Sequence, residues 1–173
     1  MTPSAPNPPR VSARRLPDDG TYPNNPRLPL LVYTGAFPPN DPEAIEAVLA
    51  ANGWPPAWRF GVFSHHHYHA TAHEVLGCFQ GSASLQLGGP EGPILEAAAG
   101  DVVVLPAGTA HKAVESHGGF LCVGAYPAGQ DPAMNTGRPG EHEDAVARIA
   151  RVPVPEADPA YGPQGPLLEH WGT

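Results

Sequence analysis

With 173 residues the chain has the length of one domain with one respectable core. A net charge of −8 with nine Lys and Arg leaves no basic stripe to neutralise a phosphate backbone, which argues against nucleic acid as a partner. Hydrophobic residues at 41%, with 24 prolines and 20 glycines, describe a turn-rich globular chain, and with no apolar run near membrane-spanning length or secretory h-region the expected location is the cytoplasm, off the membrane.

Taken in chain order, residues 1–16 are polar, proline-rich and poor in helix formers, and are expected to be a mobile tail ahead of a single domain at 17–173. Residues 28–34 (LPLLVYT) read as a short strand or an extended arm. A helix is expected to start at Asp41 as N-cap with Pro42 at the first position, to carry Ile45, Val48 and Leu49 on one face, and to stop at Asn52-Gly53. From 58 to 126 the pattern turns to short β-prone segments between Gly, Pro and Ser. Strands are predicted near 59–69, 74–80, 82–87, 94–97, 101–105, 111–114 and 120–126. A second helix is predicted over about 141–151, where Ala145, Val146 and Ile149 share helical spacing; 127–173 is otherwise a helical and loop extension. Cys78 and Cys122 are too few for a disulfide framework and read as buried thiols.

Five of the nine histidines fall in the stretch SHHHYHATAHE, residues 64–74. In a strand, alternation puts His65, His67 and His69 on one face, so two of the three are placed to chelate one ion. A tight turn over residues 70–73 then brings Glu74 toward that pair; a shifted turn would bring His73 instead. Pro106-Ala107-Gly108 forms a second turn, which aims His111 back toward the earlier strand.

Gly61, His67, His69, Glu74 and Gly81 are separated by five, one, four and six residues, and this segment resembles the first cupin motif. Gly100, Pro106, Gly108 and His111, separated by five, one and two, resemble the second, except that Glu115 stands where that motif carries asparagine. The stretches DDG…PNNPRLPLLVY, NGWPPAWRFGVF, HHYHATAHEVLG, PAGTAHK, VGAYPAGQDPAM and DPAYGPQGPLLEHW are similar to the uncharacterised bacterial YjlB-type cupins.

The resemblance implies an all-β double-stranded β-helix, a jelly-roll barrel with its core at about 58–126 and short peripheral helices. It implies one divalent metal ion (Fe, Mn, Ni, Cu or Zn) held by His67, His69, Glu74 and His111. The expected function is then a metal-dependent enzyme of the dioxygenase or isomerase type acting on a small chelating organic molecule, with a non-catalytic small-molecule or metal-binding module as the alternative. Arg59, His73 and Tyr126 are the candidates to orient substrate or move a proton. His65, His66 and Cys78 are neighbours of the site without an assigned role, Trp54, Trp58 and Trp171 are expected to cap the barrel or fill a subunit contact, and the expected assembly is a homodimer.

Overall fold

The computed structural model describes residues 5–172. The mobile tail expected at 1–16 lies outside the described residues for its first four positions; further on, Val11–Arg14 is a strand, β1, paired antiparallel with β2 (Leu30–Tyr33). Backbone pairing overrides a side-chain composition that offers little apolar surface.

β2 is buried along its whole length because β1 flanks one edge and β7 (Val102–Leu105) the other. It is therefore an interior strand of its own sheet rather than a free arm. Helix α1 (Pro42–Ala51) forms as its sequence dictates: the Asp41 carboxylate accepts from the Ala44 N–H at 3.1 Å, Pro42 occupies the first position, and Gly53 exits at φ +81°. Its buried residues Ile45 and Leu49 meet the sheet at Gly77, where an added Cβ would lie 2.6 Å from Ile45 Cγ2. Only glycine permits that approach.

The sheet is organised by two long strands, β5 (Glu74–Leu87) and β8 (His111–Ala125). Each covers what the sequence divides into two strands, because Gly81 and Gly118-Gly119, all at positive φ, bend the ladder instead of ending it. Along its other edge β5 pairs first with β7 and then with β6 (Ile94–Ala98). The order is β1-β2-β7-β5-β8-β3, with β3 (Pro56–Phe60) at the far end. A separate two-stranded ribbon joins β4 (Tyr68–His69) to β9 (Met134–Asn135).

This overturns the expected fold class. The hydrogen-bonded path ends at β1 and β3, so the sheet is open and no closed jelly-roll barrel forms. The reason lies beyond Gly61: the strand predicted over 59–69 ends at Phe60, and the segment that follows meets β8 only at separate points, where Phe63 O accepts from Ala113 N–H and His67 bridges His111, so no continuous ladder forms there. With helices α1, α2 (His142–Ile149) and α3 (Pro166–Trp171), the fold is a mixed α/β arrangement among the described residues.

Both faces of the sheet are covered, which accounts for uninterrupted apolar runs such as Val102–Leu105. Leu31, Tyr33, Val102, Val104 and Val123 pack on one side with α1, Trp54 and Trp171; Leu30, Val32, Leu76, Val103 and Cys122 pack on the other. Trp54 and Trp171 are thus core residues, their indole N–H groups donating to Ala157 O at 3.0 Å and Pro29 O at 2.8 Å. α3 falls in a stretch read as loop; its signal was Pro166 at the first position with Leu167 and Trp171 four residues apart. No helix among the described residues is long and apolar enough to cross a membrane.

Candidate functional site

Four segments converge above the second apolar face. His67 forms an isolated antiparallel bridge with His111, its N–H donating to His111 O at 3.2 Å and its O accepting from His111 N–H at 3.0 Å. His69 comes from β4, Glu74 opens β5, and Tyr126 follows β8.

The three imidazoles are oriented by backbone carbonyls. The Nδ1–H groups of His67, His69 and His111 donate to His65 O, Ala133 O and Thr109 O at 3.0, 3.3 and 2.9 Å. The Nε2 atoms of His69 and His111 then lie 2.8 Å from Glu74 Oε2 and 3.2 Å from Glu74 Oε1. The His67 and His111 rings are 4.1 Å apart between centroids, and His69 stands edge-on to Tyr126 at 5.3 Å.

Burial pushes the Glu74 carboxyl upward, but hydrogen bonds from His111 and His69 outweigh it and hold the group well below the usual carboxylate range. Burial opposes the charge on His69, yet the hydrogen bond and charge of Glu74 raise its pKa. His67 is pushed down to about 3 by burial and by His111, so it is a neutral ring at ordinary pH. Its Nε2 carries a lone pair with no hydrogen-bonding partner among the described residues. Burial and the Glu74 charge raise the Tyr126 phenol, whose oxygen accepts from Trp58 Nε1–H at 3.0 Å.

This cluster floors a cavity of about 510 Å³ walled by Trp58, Phe60, Phe63, Leu76 and Met134. Phe60 and Phe63 stand at the rim, 57% and 41% exposed, with His65 stacked on Phe63 at 5.2 Å. A somewhat larger cavity, about 590 Å³, lies between residues 15–27 and α2, and none of the clustered histidines lines it.

The structure therefore brings His67, His69, Glu74, His111 and Tyr126 together. Arg59 reaches the same pocket wall, but its guanidinium is engaged by Glu46 at 2.6 and 2.9 Å and by Glu43 at 3.2 Å. His73 is elsewhere: fully buried, it accepts from Ala107 N–H at 2.8 Å and donates to Pro153 O at 3.1 Å, with Trp171 against its ring. His66 packs on Tyr22 and leaves Nδ1 buried without a partner. The aromatic wall was not assigned from sequence, although Trp58, Phe60 and Phe63 lie within one short segment.

The expected metal centre is corrected. Among the described residues no group of three or more His, Cys, Asp or Glu is arranged to hold a metal ion. The carboxylate oxygens of Glu74 and the Nε2 atoms of His69 and His111 face one another at hydrogen-bonding distance, so the polar atoms answer each other instead of a common central point. With that correction the divalent ion, the metal-dependent dioxygenase or isomerase and the metal-binding module all lose their basis.

No family model matches the chain. The chain is similar to a protein of Bacillus subtilis (strain 168) described as uncharacterized protein YjlB, with 43% identity over 156 residues that cover 90% of this chain and 93% of the relative. Likeness to YjlB holds over nearly the whole length, whereas placement among the cupins is corrected by the open sheet.

Proposed function

The chain belongs to the YjlB family, and from that premise we propose that the pocket above Glu74 receives a small, neutral, largely apolar organic molecule that donates a hydrogen bond to His67. The observation that carries this reading is the unpartnered Nε2 of a neutral His67 at the foot of an aromatic-walled cavity. Such a pocket, mostly apolar with a few fixed polar groups, is how small-molecule sites are built.

Charge favours a neutral ligand. On the floor the Nε2 atoms of both His69 and His111 are engaged by the Glu74 carboxylate, and Arg59, the cation on the wall, is matched by two carboxylates. An added anion would be desolvated with no free cation to meet it. Planar rings suit the walls, since Trp58, Phe60 and Phe63 offer faces and edges for aromatic contact.

Phenol titrated into the full chain, followed by calorimetry and by chemical-shift changes of the pocket residues, tests this reading. Saturable binding is expected, weakened about tenfold in His67→Phe, the loss of about one hydrogen bond. Absence of shifts at Trp58, Phe63 and His67 would refute it. Two cysteines are too few for the disulfide framework of a secreted domain, which supports the cytoplasm as the working compartment. We also propose a homodimer formed through a free sheet edge, β1 or β3; elution as a monomer on calibrated gel filtration would count against it.

A further inference from the structure

Cys78 on β5 and Cys122 on β8 are direct partners in the ladder. The Cys78 N–H donates to Asp101 O at 2.9 Å and its carbonyl accepts from Gly100 N–H at 2.8 Å, so both of its backbone groups face away from β8. The two cysteines therefore form a non-hydrogen-bonded antiparallel pair, the type with Cα atoms about 4.5 Å apart and side chains closest together. That separation lies within the range a disulfide spans. Their sulfurs already approach to 3.4 Å, both residues are fully buried, and both are free thiols.

Two further features bear on reactivity. The ladder shifts register immediately after Cys78, which loosens the strand beside it. Leu76, two residues earlier on the same face, lines the pocket and packs in the same apolar cluster as both thiols.

We propose that Cys78 and Cys122 are a two-electron redox site that closes into an intrachain cross-strand disulfide on reaction with a peroxide. One sulfur, as thiolate, attacks a peroxide oxygen; the O–O bond breaks, one water leaves after protonation, and a sulfenic acid forms. The second sulfur attacks that sulfur, the S–O bond breaks, and the hydroxyl leaves as a second water with the remaining thiol proton. Two thiols and one hydrogen peroxide thus give one disulfide and two waters. The two sulfurs already lie 3.4 Å apart, so whichever is oxidised first has its resolving partner in place.

The cross-link would join strands 44 positions apart in sequence and constrain the unfolded chain accordingly. It is independent of what the pocket binds.

The test uses the full chain, reduced, freed of reductant and exposed while folded to hydrogen peroxide, then denatured in N-ethylmaleimide and weighed intact. The expected product has lost the mass of two hydrogens, takes up no maleimide, yields one cross-linked peptide pair containing Cys78 and Cys122, and is restored by dithiothreitol. Its melting temperature should stand about 10 °C above that of the reduced chain, a rise absent in Cys122→Ala. Full alkylation of both cysteines, added oxygen without a cross-link, or an interchain disulfide would each overturn the proposal. Because the mass and peptide map are read on the wild-type chain, the result stands even where the alanine variant fails to fold.

Discussion

Glu74 and His111 sit at opposite ends of the β5–β8 ladder, Glu74 just before Val75 pairs with Ala125 and His111 opposite Leu87, yet their side chains are 3.2 Å apart. A flat ladder of that length would hold its ends roughly 40 Å apart. The register shifts between Cys78 and Leu85 bend the long strands, and the bridge between His67 and His111 fastens the returning segment over them. An open sheet thus folds over far enough to bury a carboxylate among three imidazoles.

The first prediction concerns that carboxylate. Glu74 is 3% exposed and accepts from both neighbours, so Glu74→Ala leaves His69 and His111 buried without their partner. Stability should fall by about 3 kcal/mol, the range for breaking a buried pair from one side. Urea denaturation of both proteins measures it, and a loss below about 1 kcal/mol would show that the cluster contributes little.

Acid should destabilise the protein well before carboxylates titrate. Burial lowers His73 to about 4 from an ordinary 6.5, so the unfolded chain binds this proton more readily than the native one between those values. Its contribution is complete above pH 6.5 and is lost as pH falls toward 4, amounting to about 3 kcal/mol. His67, lowered to about 3, acts with the same sign. His69, raised by Glu74, acts oppositely: its contribution is present below pH 6.5 and is lost as pH rises through its folded pKa. Unfolding free energy measured from pH 4 to 8 should therefore rise steeply to about pH 6.5, and His73→Gln should flatten the acid limb.

Gly124 fixes one wall of the pocket. A Cβ there would lie 2.1 Å from two ring carbons of Trp58, whose indole N–H holds the Tyr126 hydroxyl. Gly124→Ala must push the indole outward, at a cost of about 2 kcal/mol. Trp54 and Trp171 are 0% and 2% exposed on the other face, so a red shift in tryptophan emission would report Trp58 alone. Unchanged emission would mean that β3 moves as a unit instead.

Much of this was legible in the residues. Asp41-Pro42 and Asn52-Gly53 bracket α1, and the spacing of His67, His69, Glu74 and His111 marks side chains that meet in space. What spacing does not carry is the orientation of the meeting atoms or the closure of the sheet. Orientation is set by distant carbonyls, such as Ala133 O for His69, and closure is forfeited beyond Gly61, where a run of β-formers meets β8 only at Phe63 and His67 instead of along a continuous ladder. Glycines read as strand ends turned out to be bends, because at Gly81 the chain needs positive φ and close packing on His117 O but keeps its partner strand. His73 and Glu74 are adjacent, and only the folded turn shows one bound to Pro153 and the other turned to the cluster.

The last prediction lies on the opposite face. Asp158 is fully buried, and its carboxylate accepts from the Tyr33 hydroxyl and from the N–H groups of Ala160, Tyr161 and Leu167, the last three at 2.8 to 2.9 Å. One side chain therefore ties the turn at 158–162 and the start of α3 to β2. Asp158→Ala leaves four donors without an acceptor and should cost about 4 kcal/mol, whereas Tyr33→Phe removes a single donor and should cost about 2 kcal/mol. Hydrogen exchange locates the loss: in Asp158→Ala the Ala160, Tyr161 and Leu167 amides should exchange faster while Ala44, capped by Asp41, keeps its protection relative to global unfolding. Equal costs for the two variants would place the stabilisation in the Tyr33 hydroxyl and not in the backbone donors, and the C-terminal segment would then be held chiefly by Leu167 and Trp171 in the core.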